Sequence, residues 1–334
     1  MKLRLLTLTL LLFSCFSVFG QSSEFDAGGF DAMRIENEIK LAVPNEIVDS
    51  VWNYLKARYD NDNLFLKEFD AGFSTKIAED FFIDQYYDNE EMQLLKRQFG
   101  VRHRSRYVLT DQTDRKNGRQ LLQVKVNDID DNMLNRAEYK YPIKFYGTPN
   151  TPIEGHPLFR KIHQDHRKAL AERLHEFGID AFSLFPTIKI EQLRRRVYVS
   201  LNGNSFATMT LDGVTASFSG QSTHYTELEL ELNEINYTLG DSTARAKMEA
   251  INESIKGDLL ATFPSIKQDQ TPKYNKGFEA LGLKDFSSRP LFGVQEEYLS
   301  VGLIFFLLLA TFLSDRLEKK AWEGQAEAQL QEAQ

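Results

Sequence analysis

The sequence predicts an α+β fold in which mostly antiparallel strands close into a barrel and helices are inserted between them. Three observations lead there. Several β-like segments carry a charge on every second residue, a hairpin signal joins two long apolar runs, and three stretches have helical periodicity.

In Ile35-Glu-Asn-Glu-Ile-Lys-Leu41, strand geometry puts Glu36, Glu38 and Lys40 on one face and Ile35, Ile39 and Leu41 on the other. Pro44 to Tyr59 is a helical stretch, with Val48, Val51, Trp52 and Leu55 on one stripe. Arg102, Arg104 and Arg106 align on Val101 to Tyr107. Gln123 and Lys125 oppose Leu122, Val124 and Val126, and Arg136, Glu138 and Lys140 share a face on Asn135 to Tyr141. Leu158 to Phe177 and Asp241 to Phe263 are the other two helices. Asn202-Gly203, between Val197 to Leu201 and Phe206 to Leu211, reads as a hairpin turn, and Asp212-Gly213 as the next turn. Thr226 to Leu232 then sets Glu227, Glu229 and Glu231 against Leu228, Leu230 and Leu232.

A half-solvated sheet also alternates apolar and polar residues. Solvated faces usually mix signs, however, whereas here one strand has three glutamates in line and another three arginines. Neighbours on such a face are only about 7 Å apart, so like charges repel unless a third party neutralises them. Carboxylate oxygens suit a hard divalent cation, and guanidinium or ammonium groups suit phosphate oxygens. If the apolar faces pack on the helices, the charged faces point into the barrel as a polar tunnel.

The 334 residues are 42% hydrophobic and 26% charged, enough for one ample core. A net charge of −8 argues against a general nucleic-acid surface. Lys2 and Arg4, an apolar run from Leu5 to Phe19 and Gly20 have the order of a signal peptide over residues 1–20. Cys15, the one cysteine, would leave with it. Tyr298 to Ser314 is uncharged and long enough for a transmembrane helix, with Glu296 and Glu297 before it and Arg316, Lys319 and Lys320 after. These ends predict a domain over residues 24–285 on the extracytoplasmic side of the cell membrane, a single span at 298–314 and a cytoplasmic tail at 315–334. His156, His163 and His166 lack the spacing of a zinc helix motif, and no nucleophile-elbow pattern occurs.

Glu36-x-Glu38-x-Lys40 resembles the signature of the CYTH superfamily of triphosphate tunnel metalloenzymes. The likeness continues through Tyr86 to Lys96, Val101-Arg-His-Arg104, Val124-Lys125, Arg194 to Arg196 and Glu227 to Glu231, in the family's order. Pro272-Lys-Tyr-Asn-Lys-Gly277 is similar to an element of the family's polyphosphate-polymerase (VTC) branch, although Leu193 and Asn275 depart from that branch's expected tyrosine and serine. The resemblance spans about residues 33 to 283 and implies an eight-stranded antiparallel tunnel with helices outside. Carried across by position, it implies Mg²⁺ or Mn²⁺ at Glu36, Glu38, Glu229 and Glu231, with Glu227 as an additional ligand, and Glu38 and Glu229 in the chemistry. Lys40, Arg102, Arg104, Lys125, Arg136, Arg195, Lys273 and Lys276 would line a phosphate path. Arg194, Arg195 and Arg196 cannot all face inward.

The implied substrate is tripolyphosphate, polyphosphate or a nucleoside triphosphate. Polymer synthesis and nucleotide cyclisation need ATP, which is scarce outside the cytoplasm, so the predicted topology favours hydrolysis of tripolyphosphate or polyphosphate. A VTC-like polymerase, a non-catalytic polyphosphate-binding module and a structural membrane protein are the competing readings.

Overall fold

Strand β1 (Arg34–Ala42) divides its pairing between two neighbours, and this division closes the sheet. Its first part, Arg34 to Asn37, runs antiparallel to β5 (Asn135–Pro142), and its second, Glu38 to Ala42, runs antiparallel to β8 (Gln221–Leu232). Between β5 and β8 the order is β4 (Gln120–Val126), β3 (Gly100–Val108), β2 (Phe73–Asp88), β6 (Phe185–Leu201) and β7 (Asn204–Phe218). Every pairing is antiparallel, giving a closed eight-stranded barrel, to which the two-residue β9 (Lys267–Gln268) adds on the end of β1. The computed structural model describes residues 32–283, apart from 62–64, 112, 115–116, 128–133, 144–155, 161 and 163.

The barrel is apolar outside and charged inside, as the alternation predicts. Ile39, Leu41, Leu228, Leu230 and Leu232 face outward into a core shared with Val51, Trp52 and Leu55 of α1 (Val48–Arg58) and Ile251, Ile255 and Leu259 of α5 (Ser242–Thr262). Each such buried side chain contributes about 1.5–3 kcal/mol, which offsets the cost of gathering charges within. The stripe read from Pro44 forms a 3₁₀ turn at Asn45–Ile47 before α1. Asp241 caps α5, accepting from the Ala244 amide at 2.8 Å. The central helix, α3 (Gln164–Glu176), starts later than its periodicity suggested, after buried Leu158 and Phe159. Two further helices, α2 (Gln93–Lys96) and α4 (Glu234–Leu239), are too short to show a period.

One turn assignment is corrected. Asn202 and Gly203, at φ 51° and 79°, do make the β6–β7 hairpin, but Asp212-Gly213 lies mid-strand in β7, paired with Arg194 and Leu193. The next turn is Ser219-Gly220, at φ 48° and 78°. Long-range pairing on both sides of β7 outweighs the local preference of Asp-Gly for a turn. The expected signal segment (1–20), span (298–314) and tail (315–334) lie outside the described residues. Among the described residues no helix is long and apolar enough to cross a membrane.

The last helix, α6 (Lys273–Ala280), lies across one end of the barrel against β6, β7 and β8. Tyr274 stacks on Tyr86 with ring centres 4.8 Å apart, and its hydroxyl donates to Asp88 at 3.0 Å. Asp88 also accepts from the backbone amides of Leu94 and Leu95, tying α2 to the same end. Gly277 lets the helix approach, since a Cβ there would come within 2.8 Å of Ile188 Cδ1.

Candidate active site

The barrel interior holds a cavity of about 210 Å³ whose wall is mostly charged, with Phe82, Tyr86 and Tyr198 among the aromatic exceptions. Strand parity puts Glu36 and Glu38 of β1 beside Glu231 of β8, the last two directly across from one another, with carboxylate oxygens of all three within 4.8 Å. Positive charge is short here. Lys125 holds one oxygen of Glu36, while the other, Oε2, is buried and accepts no hydrogen bond. Burial and the neighbouring Glu229 push Glu38 up to about 8, despite Lys40 at 2.8 Å. Burial and Glu36 push Glu231 up to about 7. Burial also raises Glu36, but Lys125 outweighs it and holds that group below the usual carboxylate range. Three hard oxygen donors short of positive charge fit a divalent cation of the magnesium type.

Glu229, expected as the fourth ligand, sits in a second cluster with Asp212 and Glu227. There cations are abundant. Lys40 lies 2.8 Å from Glu229, Lys273 lies 3.0 Å away, and Arg194 donates to its other oxygen. These cations outweigh burial and hold Glu229 well below the usual range.

The basic side depends on aspartates that the charge alternation did not reveal. Arg104 grips Asp84 with two hydrogen bonds of 2.7 Å, and Arg102 reaches the same carboxylate at 3.2 Å while its Nε donates to Gln123. Burial raises Asp84, but Arg102 and Arg104 overcome it and hold the group far below its ordinary value. Arg106 and Arg196 gather on Asp80 in the same way, at 3.1 and 3.5 Å. Arg194 makes a two-pronged contact with Asp212, at 2.7 and 2.6 Å. Lys140 bridges Glu138 and Glu234, and Arg136 is fixed by Asn127 and the Gln98 carbonyl. Guanidinium forks held this way present their remaining donors to the cavity at low entropic cost.

Of the predicted phosphate-path residues, Lys40, Arg102, Arg104, Lys125, Arg136 and Lys273 line the cavity. Two do not. Arg195 points to the outer wall, where it meets solvent-exposed Asp49 at 3.1 Å, and Arg194 and Arg196 take the inward positions. The parity of buried Val197 and Val199 on the same strand carries that signal in the sequence. Lys276 lies behind Glu227, 3.5 Å from it and 2.7 Å from Asp269. Asp80 and Asp84 carry no alternation signal because Phe82 and Tyr86 share their face on β2, and Asp212 carries a turn signal because a glycine follows it.

The CYTH domain family matches residues 54–259, beginning after β1 and ending within α5. No curated protein matches the chain. Among solved structures, protein PH1819 from Pyrococcus horikoshii OT3 is 15% identical, with 73% of this chain and 98% of that one covered and a TM-score of 0.40. A putative adenylyl cyclase from Hippeastrum, described as having a dominant triphosphatase activity, is 14% identical over 74% of this chain and 95% of its own, with a TM-score of 0.42. The Pct1 RNA triphosphatase of S. pombe is 12% identical over 72% and 86%, with a TM-score of 0.31. Likenesses this loose do not bear on the chemistry. The family match spans well over half of the 334 residues, and the chain belongs to the CYTH domain family.

Proposed function

We propose that the barrel is a divalent-cation-dependent phosphohydrolase acting on tripolyphosphate or the end of an inorganic polyphosphate. The observation that carries this is the pairing, inside one barrel, of a carboxylate trio short of positive charge with a wall of anchored guanidinium and ammonium groups. Glu36, Glu38 and Glu231 would hold Mg²⁺ or Mn²⁺. Such an ion, when bound, neutralises phosphate charge and polarises the phosphorus–oxygen bonds. Arg102, Arg104, Arg136 and Lys125 bind and orient the phosphate chain.

Water attacks the terminal phosphorus, the bridging P–O bond breaks, and the bridging oxygen leaves with the electron pair. Orthophosphate and a chain one unit shorter result. Anchored cations stabilise the charge that grows on the leaving oxygen, the largest contribution in reactions of this kind. Glu38, on the cavity wall among the three clustered carboxylates, is the group assigned to take the water proton. Glu229 acts indirectly, by fixing Lys40 and Arg194.

The cavity of about 210 Å³ is smaller than the ~300–1,000 Å³ of sites that enclose organic ligands, so it suits a phosphate chain rather than a whole nucleotide. A domain outside the cytoplasm, the topology expected from the apolar stretches near the two ends, would meet tripolyphosphate or polyphosphate more readily than ATP. The test is phosphate release by the full-length protein from tripolyphosphate, long polyphosphate and ATP, with Mg²⁺ or Mn²⁺. Tripolyphosphate or polyphosphate should be cleaved in preference to ATP, and Glu38→Gln should lower turnover by about 10²–10³ with binding retained. Tight polyphosphate binding without turnover on any substrate would replace the enzyme with a binding module.

A further inference from the structure

Asp212, Glu227 and Glu229 form a second set of three carboxylates with oxygens within 4.8 Å of one another, the same spacing as the Glu36, Glu38 and Glu231 trio. What fills the two sets differs. The ammonium of Lys273 lies 2.6 Å from Asp212 Oδ2, 2.8 Å from Glu227 Oε1, 3.0 Å from Glu229 Oε1 and 2.7 Å from Gln192 Oε1. An ammonium has three hydrogens to donate, and here it stands among four oxygens with its side chain only 5% exposed. Neither oxygen of fully buried Glu227 accepts a hydrogen bond, so contact with ammonium charge is what balances it.

We propose that Lys273 is a built-in cation that occupies this second cluster, so that each chain takes up one divalent ion, at Glu36, Glu38 and Glu231, rather than two. The inference rests on the cation use proposed above but not on hydrolysis. A metal ion among Asp212, Glu227 and Glu229 would stand at contact distance from Nζ, and repulsion at that range in a buried site is severe. Arg194 and Lys40 supply further charge to the same cluster, leaving no deficit for an ion to fill. Near the first trio the cations in direct contact are Lys125 and Lys40, the latter shared with Glu229, while Arg136 sits across from Glu36 and is held by Asn127 and the Gln98 carbonyl, so the deficit persists.

The lysine is delivered by α6, whose seat is fixed independently by Tyr274 on Tyr86 and by Asn275 donating to the Leu95 carbonyl at 2.8 Å. Occupancy of the second cluster therefore reports whether α6 closes its end of the barrel. Removing Nζ leaves three buried carboxylates facing one another, a site that a divalent ion would then fill.

The experiment is a Mn²⁺ titration of the full-length protein, with free ion followed by electron paramagnetic resonance. The variants are Glu36→Gln, Asp212→Asn, Lys273→Ala, Lys273→Met and the double variant Lys273→Ala with Asp212→Asn. One ion per chain is expected in the wild type, with at least tenfold weaker binding in Glu36→Gln and no change in Asp212→Asn. Two are expected in Lys273→Ala, the second lost in the double variant. Two ions in the wild type, one of them lost in Asp212→Asn, overturn the proposal. So does a single ion in both Lys273→Ala and Lys273→Met when these remain folded. No ion in the wild type but one in Lys273→Ala would remove the metal assignment of the first trio and leave the role of Lys273 standing. Should neither Lys273 variant fold, the wild-type count and its response to Asp212→Asn decide.

Discussion

Asp84 receives two hydrogen bonds from Arg104 and one from Arg102, and it has no exposure to solvent. Replacing it by Asn leaves two guanidiniums in the interior without their counter-charge, a change that costs about 3–5 kcal/mol in buried pairs. Asp84→Asn is thus expected to lower the melting temperature markedly and to weaken tripolyphosphate binding, as thermal melts and equilibrium titration would register. Glu38 and Glu231 act in the opposite sense. Their folded-state values, about 8 and about 7, lie above the ordinary carboxylate value, so the folded protein binds more protons than the unfolded chain. The stability they lend is complete below about 4.5 and is lost as pH rises through about 7 and 8. Melts in chelator should show this loss, and added Mg²⁺ should flatten it by competing with the protons. The inward-facing carboxylates were legible because Glu36 and Glu38, and Glu229 and Glu231, stand at alternate positions on clean strands. What was hidden is which glutamate the local cations satisfy, since that depends on Lys273 and Arg194, far away in sequence.

Among the elements, the strands with one charged and one apolar face were readable, and those whose interior face mixes aromatics with acids were not. β2 is the clearest case: Asp80, Phe82, Asp84 and Tyr86 share its inner face, so no binary pattern survives. β7 is longer than its sequence suggests because Asp212-Gly213 is a turn pair by local chemistry, while pairing with β6 and β8 keeps it extended. α6, at eight residues, is too short for a helical period to declare itself. Its contact depends on Gly277, which meets buried Ile188, Ile190 and Ala216. Gly277→Val is expected to cost about 1–3 kcal/mol by overpacking and to lift α6 from the barrel end. Increased amide exchange at Lys273 to Phe278, with the rest of the barrel unchanged, would be its signature; unaltered exchange there would contradict the packing account.

At the scale of the molecule, the apolar residues of the barrel point outward to helices, and the interior is left for charge. A chain with a net charge of −8 can therefore keep a chamber rich in arginine and lysine that its surface does not advertise. Closure was legible in kind, because like-charged faces needed an enclosed partner, yet the splitting of β1 between β5 and β8 was not, since no local signal marks the change at Glu38. The central claim is that this chamber cleaves a phosphoanhydride with the help of a cation held by Glu36, Glu38 and Glu231. Phosphorus NMR of tripolyphosphate incubated with the full-length protein tests it most directly. Equimolar orthophosphate and pyrophosphate, formed with Mg²⁺ or Mn²⁺ and absent in chelator, is the predicted result. Tripolyphosphate that stays intact in the presence of the cation, while bound to the protein, would contradict it.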